Sequence, residues 1–175
     1  MIEYERKYLV TLNSTKLHEL LPYIIDKHRI IQGYLSSDPE RIVRVRRVVD
    51  KQSFITIKGL KREGACLEIE FPISPVHADN LIKLCPKLIT KTRYDLMISG
   101  QKFELDVFEG ELTGLVIVEI EGPKEDILQY LEDFSLPSWV GLDVTDDKFF
   151  SNVCLLTNTW SSIESYIDVL YKGAK

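Results

Sequence analysis

Few of the residues that mark common catalytic sites are present in quantity or in order. The 175-residue chain has only three cysteines, Cys66, Cys85 and Cys154. An odd number at wide spacing, with no CxxC pair, writes neither a zinc site nor a disulfide framework. They read as free thiols in a reducing compartment. Three histidines, His18, His28 and His77, are scattered, so no Ser-His-Asp arrangement is assembled. Glycine is sparse, at nine residues, and no Gly-rich phosphate loop or strand–helix–strand alternation appears. That excludes a P-loop or dinucleotide fold. Long apolar runs are absent too, and no stretch approaches the ~20 residues of a membrane helix. Glu3 and Glu5 break any leader-like run at the N-terminus, so a cytoplasmic protein with no membrane partner is expected. The formal charge of -5 argues against a general affinity for nucleic acid. It leaves room for a local basic pocket, because 22 lysines and arginines remain to be placed.

The chain does have a patterned β content. At 45% hydrophobic it holds enough material for one domain with a core. Period-two alternation predicts strands over 2–10, 28–36, 41–50, 52–59, 66–73, 88–96, 102–110 and 115–122. Asp50-Lys51 reads as a hairpin hinge and SDPE, 37–40, as a turn. Helical patterns fall near 14–21, 75–85, 125–134 and 161–170, with Pro75 at a first turn. The stretch 136–144, LPSWVGLDV, reads as irregular, with Trp139 a packing residue. Thr145 or Asp146 is a candidate cap for a following helix. The fold class expected is mainly antiparallel β with short helices (α+β), in a single domain spanning 1–175. Eight antiparallel strands of this kind usually close into a barrel or form a sandwich.

One face of these strands is nearly all ionic. It carries Glu3, Glu5 and Lys7; Arg44 and Arg46; Thr56 and Lys58; Glu68 and Glu70; Lys91 and Arg93; Glu104 and Asp106; Glu119 and Glu121. The alternate positions are apolar, as in Val43 and Val45, Ile55 and Ile57, or Val118 and Ile120. Acid-x-acid pairs are common in a chain with 27 acids, so their number carries nothing. Their placement does, since signs are segregated strand by strand. Carboxylates about 5 Å apart repel by roughly 3 kcal/mol at an effective dielectric of 20. A divalent cation or facing bases must hold them together. Carboxylate oxygens suit Mg2+ or Mn2+, and guanidinium and ammonium groups suit phosphate oxygens. If the sheet is flat and open, this ionic face is solvated surface; if it closes with that face inward, it forms a charged tunnel that would bind a polyphosphate together with its metals.

An ordered series of motifs now resembles a known family. EYERK at 3–7 is similar to the ExExK signature of CYTH domains, the triphosphate tunnel metalloenzymes. YLSSDPERIVRVR, TIKG, LEIE, KTRY, ELDVF, GLVIVEIE and WVGLDVTDDKFFSN follow in the family's order, across most of the chain. The resemblance is strongest to small bacterial single-domain members.

This resemblance implies a closed eight-stranded tunnel barrel with the ionic face inside, partly covered by a helical segment at about 145–171. It implies a triphosphate substrate bound by Lys7, Arg44, Arg46, Lys58, Lys91 and Arg93, with Lys148 as a further contact. It implies Mg2+ or Mn2+ held by Glu3, Glu5, Glu119 and Glu121, with Glu104 and Asp106 as further metal ligands. Glu5, Lys7, Glu68 and Glu70 are the expected catalytic set. The expected activity is metal-dependent hydrolysis of inorganic triphosphate or a nucleoside triphosphate. Two alternatives stay open: a class IV-like adenylate cyclase making 3',5'-cyclic AMP, and a non-catalytic triphosphate-binding module. The family is often dimeric, and Tyr4, Arg6 and Tyr8 on the other face of the first strand leave a homodimer open.

Overall fold

The computed structural model describes residues 4–10, 19–38, 40–59 and 67–173. In chain order the strands are β1 (Tyr4–Val10), β2 (Ile24–Asp38), β3 (Arg41–Val48), β4 (Ser53–Gly59) and β5 (Glu68–Ile73), then β6 (Leu88–Ile98), β7 (Gln101–Phe108), β8 (Val116–Gly122) and β9 (Val140–Asp143). The helices are α1 (Pro75–Ile82), α2 (Lys124–Asp133), α3 (Asn152–Leu155) and α4 (Trp160–Gly173). None of the described helices is long and apolar enough to cross a membrane. The α+β content follows the expectation, but the closed eight-stranded barrel does not form. One nine-stranded sheet runs in the order β5-β4-β3-β2-β6-β7-β8-β1-β9 and ends at β5 and β9. The physical reason is β9, which lies in the stretch read as irregular. It pairs with β1 through Tyr8↔Asp143 and Val10↔Val140, while β8 takes the opposite edge of β1. With β8 along one edge and β9 along part of the other, β1 is an interior strand, and the sheet ends at β9 rather than turning from β1 back to β5.

The described residues group into two compact units. The first takes those of Glu3–Lys27 and Thr92–Lys175. Its core lies on the apolar face of β1, β7 and β8, where Tyr8, Phe103, Leu105, Val118 and Ile120 are buried. Alternation explains this directly. Val118 and Ile120 point one way, and Glu119 and Glu121 the other. Helix α2 has its apolar stripe at Ile127 and Tyr130, and both are buried in this core. Phe103 meets Tyr130 edge-on at 5.8 Å and Trp139 at 6.4 Å, so Trp139 packs as expected. At the C-terminal end, Trp160 of α4 lies against Gly114, whose φ is +118° and where a Cβ would come within 2.5 Å of the indole. Only glycine fits there.

The second unit takes the described residues of His28–Lys91. Asp50 has a φ of 59°, the left-handed conformation that the β3–β4 hairpin requires. Ser74 caps α1 by accepting from the His77 N–H at 3.2 Å, with Pro75 at the first turn. Arg47 Nε donates to Asp79 Oδ1 at 3.1 Å and ties α1 to β3.

Phe103 is fully buried and touches two further rings. Phe103→Ala is expected to lower unfolding free energy by about 3–5 kcal/mol. Urea titration followed by tryptophan fluorescence checks it, and a loss under about 1 kcal/mol contradicts this core.

Candidate functional site

In the first unit, strand register sets the ionic face. Glu5 stands opposite Glu121, Lys7 opposite Glu119, and Glu119 opposite Glu104. Lys7, Glu119 and Glu104 therefore form one row across β1, β8 and β7. Lys7 Nζ lies 3.0 Å from Glu119 Oε1 and 3.0 Å from Glu5 Oε1. Its backbone is also fixed: its N–H donates to Thr145 Oγ1 at 3.0 Å, and its carbonyl accepts from the Val144 N–H at 2.8 Å. The TDDKFFSN segment thus begins by bracing the strand that carries Lys7. Burial pushes the Lys7 ammonium down, but the charges of Glu119 and Glu5 and the hydrogen bonds to both outweigh it. Its pKa ends above that of an ordinary lysine. A raised lysine is fully charged at neutral pH and stabilises the fold there. That contribution fades only as pH climbs from the unfolded value of about 10.4 through the folded one. Lys7 is a cation and a donor, not a base.

Arg93 on β6 is the second cation. Its Nε donates to Asp106 Oδ1 at 2.7 Å and its Nη2 to Asp106 Oδ2 at 2.6 Å. Nη2 also donates to Glu119 Oε2 at 2.9 Å, and Nη1 donates to Glu104 Oε2. Lys102, two residues before Glu104, places Nζ 2.8 Å from Glu104 Oε1 and 3.5 Å from Asp95 Oδ2. Alternation alone does not single out Lys102, Asp95 or Asp26. Carboxylate oxygens of Asp26 and Asp95 lie within 4.8 Å of each other, an arrangement that offers oxygen ligands to a divalent cation. Position was the available signal: Asp95 follows Arg93 by two, and Lys102 precedes Glu104 by two. Glu3 lies outside the described residues.

In the second unit the face is basic. Arg44 stands opposite Tyr34 on β2 and Thr56 on β4, and Thr56 stands opposite Glu70 on β5. Arg46 faces Gln32, and Lys58 faces Glu68. A relay runs along the first row. Arg44 Nη2 donates to Thr56 Oγ1 at 3.2 Å, and Thr56 Oγ1 donates to Glu70 Oε2 at 2.7 Å. Lys58 Nζ pairs with Glu68 Oε2 at 2.6 Å. Arg44 Nη2 lies 3.8 Å from both Glu68 Oε1 and Glu70 Oε2. Arg44 Nε is buried and, among the described residues, has no hydrogen-bond partner. Lys91 is 2% exposed.

Lys148 is placed differently from the helix position expected for it. It opens a 3-10 turn, Lys148–Phe150, and is exposed. The caps in this segment are Asp147, which accepts from the Phe149 N–H at 2.9 Å, and Ser151, which accepts from Cys154 at 3.3 Å. Thr145 and Asp146, the residues expected to cap, do not.

With this geometry in place, the chain can be assigned: it belongs to the CYTH domain family, whose model matches residues 1–137. It is 34% identical over 164 residues to a protein named inorganic triphosphatase from Acetivibrio thermocellus, spanning 93% of this chain and 97% of that one. A Nitrosomonas europaea protein of the same name is 35% identical over 161 residues, spanning 89% and 97%. A crystal structure described as an inorganic triphosphatase aligns with a TM-score of 0.64 at 31% identity, over 90% of this chain and 96% of that one. A conserved Pyrococcus furiosus protein shares the fold at 23% identity, with a TM-score of 0.56 over 79% and 94%.

Glu119 accepts from Lys7 and Arg93 at once. Glu119→Gln is expected to cost about 1–3 kcal/mol in stability at pH 7, because both cations lose a charged acceptor. Urea unfolding measures it, and a change within about 0.5 kcal/mol, the range of ordinary surface substitutions, contradicts the shared contact.

Proposed function

We propose that the protein is a divalent-metal-dependent triphosphatase acting on inorganic triphosphate. The observation that carries the phosphate half of this reading is Arg44. Its side chain is 11% exposed and its Nε N–H has no acceptor among the described residues. A buried donor left unpaired costs about 1–3 kcal/mol, and a phosphate oxygen is an acceptor of the right charge. Arg46 on the same face of β3 and Lys58 on the facing strand extend the row, as a chain of phosphates requires. Glu68 and Glu70 accept from Lys58 and Thr56, so they orient the bases rather than compete with an anion. The two relatives named inorganic triphosphatase, matched over nearly their whole length, support the substrate.

The metal half rests on the donor set of the first unit. Glu5, Glu104, Glu119 and Glu121 offer only carboxylate oxygens on adjacent strands, which fits hard ions such as Mg2+ or Mn2+. When bound, the ion neutralises phosphate charge and polarises a phosphoryl oxygen. Lys7, held charged at neutral pH, stabilises negative charge on the departing phosphate. Water adds to the terminal phosphorus, the bridging P–O bond breaks, and inorganic triphosphate gives orthophosphate and pyrophosphate. No covalent intermediate is required.

A substrate panel tests this: inorganic triphosphate, ATP and thiamine triphosphate, each with Mg2+ and Mn2+ and with products resolved. Inorganic triphosphate is expected to turn over fastest, and chelation of the metal is expected to stop release. Glu5→Gln is expected to lower kcat by about 100-fold or more, and Arg44→Ala to raise KM by about tenfold for a lost charged contact. Cyclic AMP from ATP, or tight triphosphate binding without turnover, overturns the reading.

A further inference from the structure

We infer that Asp95 and Asp26 hold a divalent cation at a site separate from the carboxylates of Glu5, Glu119 and Glu121. The inference goes beyond the triphosphatase reading and does not depend on it. Asp26, Asp95, Lys102 and Glu104 all belong to the first unit. Strands β2, β6 and β7 are neighbours in the sheet, and they carry Asp26, Asp95 and Lys102 in that order. Asp95 lies two residues after Arg93 and shares its face of β6. It is 8% exposed, the burial of a core residue, yet it is a carboxylate. Its Oδ1 is buried and, among the described residues, has no hydrogen-bond partner. Its Oδ2 lies 3.5 Å from Lys102 Nζ, longer than the ~2.7–2.9 Å of a charge-assisted hydrogen bond. Lys102 makes its short contact with Glu104 instead, at 2.8 Å.

Buried charges are paired or coordinate metals. The long contact to Lys102 leaves Asp95 half-paired, with one oxygen open. Oxygens of Asp26 and Asp95 lie within 4.8 Å of each other. Two carboxylates this close repel unless a cation or a shared proton sits between them. Asp26 is half-buried, so it gives an ion a way in from solvent. Its Oδ1 accepts from the Lys27 N–H at 2.7 Å, which fixes the carboxylate to its own strand. A carboxylate has about four lone-pair sites, so that one bond does not use it up. Carboxylate oxygens select a hard ion, and Mg2+ is commonly held by one or two carboxylates with waters completing its shell. Lys102 keeps this ion apart from the other acids of the face, because its ammonium contacts both Asp95 and Glu104. The ion would join the first residues of β2 to β6.

The test counts ions and locates them. Mn2+ binding is measured by electron paramagnetic resonance without substrate, on the wild type, Asp95→Asn, Asp26→Asn and Glu5→Gln. Amide resonances are recorded beside it, since bound Mn2+ broadens those close to it. The wild type is expected to take up more than one Mn2+ per chain. Asp95→Asn and Asp26→Asn are each expected to weaken uptake at one site by about tenfold or more. Broadening of the Asp26, Lys27 and Leu96 amides is expected in the wild type, to persist in Glu5→Gln and to vanish in Asp95→Asn. Equal Mn2+ uptake by the wild type and Asp95→Asn overturns the inference. So does a wild type in which those three amides stay sharp, the result for two aspartates that share a proton instead. Should Asp95→Asn fail to fold by circular dichroism, Asp26→Asn, at the half-buried position, carries the decision. A protein that holds Mn2+ at Asp26 and Asp95 but leaves every triphosphate intact overturns the functional reading alone, since neither measurement needs turnover.

Discussion

Repulsion among carboxylates on one sheet face is the constraint that shapes the first unit. Glu119 is the point where it is resolved. One oxygen faces Lys7 and the other faces Arg93. The cross-strand register that puts Lys7 and Glu104 on either side of Glu119 is the same register that buries Val118 and Ile120 behind it. Electrostatics and core packing thus specify one alignment. A slip of one residue would turn Glu119 into the core and Val118 onto the ionic face, losing both at once. Several acids can be kept together here because removing any cation costs more than the pair contributes.

The basic face of the second unit leaves one arginine donor over. Arg44 donates to Thr56 and Thr56 donates to Glu70, while among the described residues the Arg44 Nε finds no acceptor. Glu68 and Glu70 compensate charge without filling that last donor. A structural network would be expected to close on itself, because a half-satisfied buried network is less stable than an apolar one. The Arg44 Nε N–H is thus the donor on this face that an anion could still engage.

Much of this was legible in the sequence because its signal is local. Period two separated Glu119 and Glu121 from Val118 and Ile120, and it separated Arg44 and Arg46 from Val45. The hairpin at Asp50, the α2 stripe and the packing role of Trp139 follow from equally short patterns. Closure was not legible, since it depends on which distant segment reaches the free edge of β1. The segment that does so, Val140–Asp143, is four residues long and follows Pro137 and Ser138, so it shows no alternation of its own. The partners of Arg93 were hidden for a related reason. Alternation tells which face a side chain is on, but not which neighbour on that face it meets. Asp95 and Lys102 lie two residues from Arg93 and Glu104, but only the strand pairing shows that they meet each other.

The two cations at Glu119 are not interchangeable, and the difference bears on how the site works. Arg93 commits two donors to a single carboxylate, Asp106, so its plane cannot turn without giving up both bonds together. Lys7 holds its two carboxylates through one nitrogen on a four-carbon stem, at 3.0 Å from each. Exchanging either for a phosphate oxygen replaces one charge-assisted contact by another and leaves the backbone untouched, because Thr145 and Val144 hold that backbone separately. A rigid arginine and a swinging lysine on the same carboxylate divide the work. The arginine is fixed by its paired contact, and the lysine is the freer of the two to change partners. Lysine in place of Arg93 would lose the fork, and arginine in place of Lys7 would lose the freedom to swing.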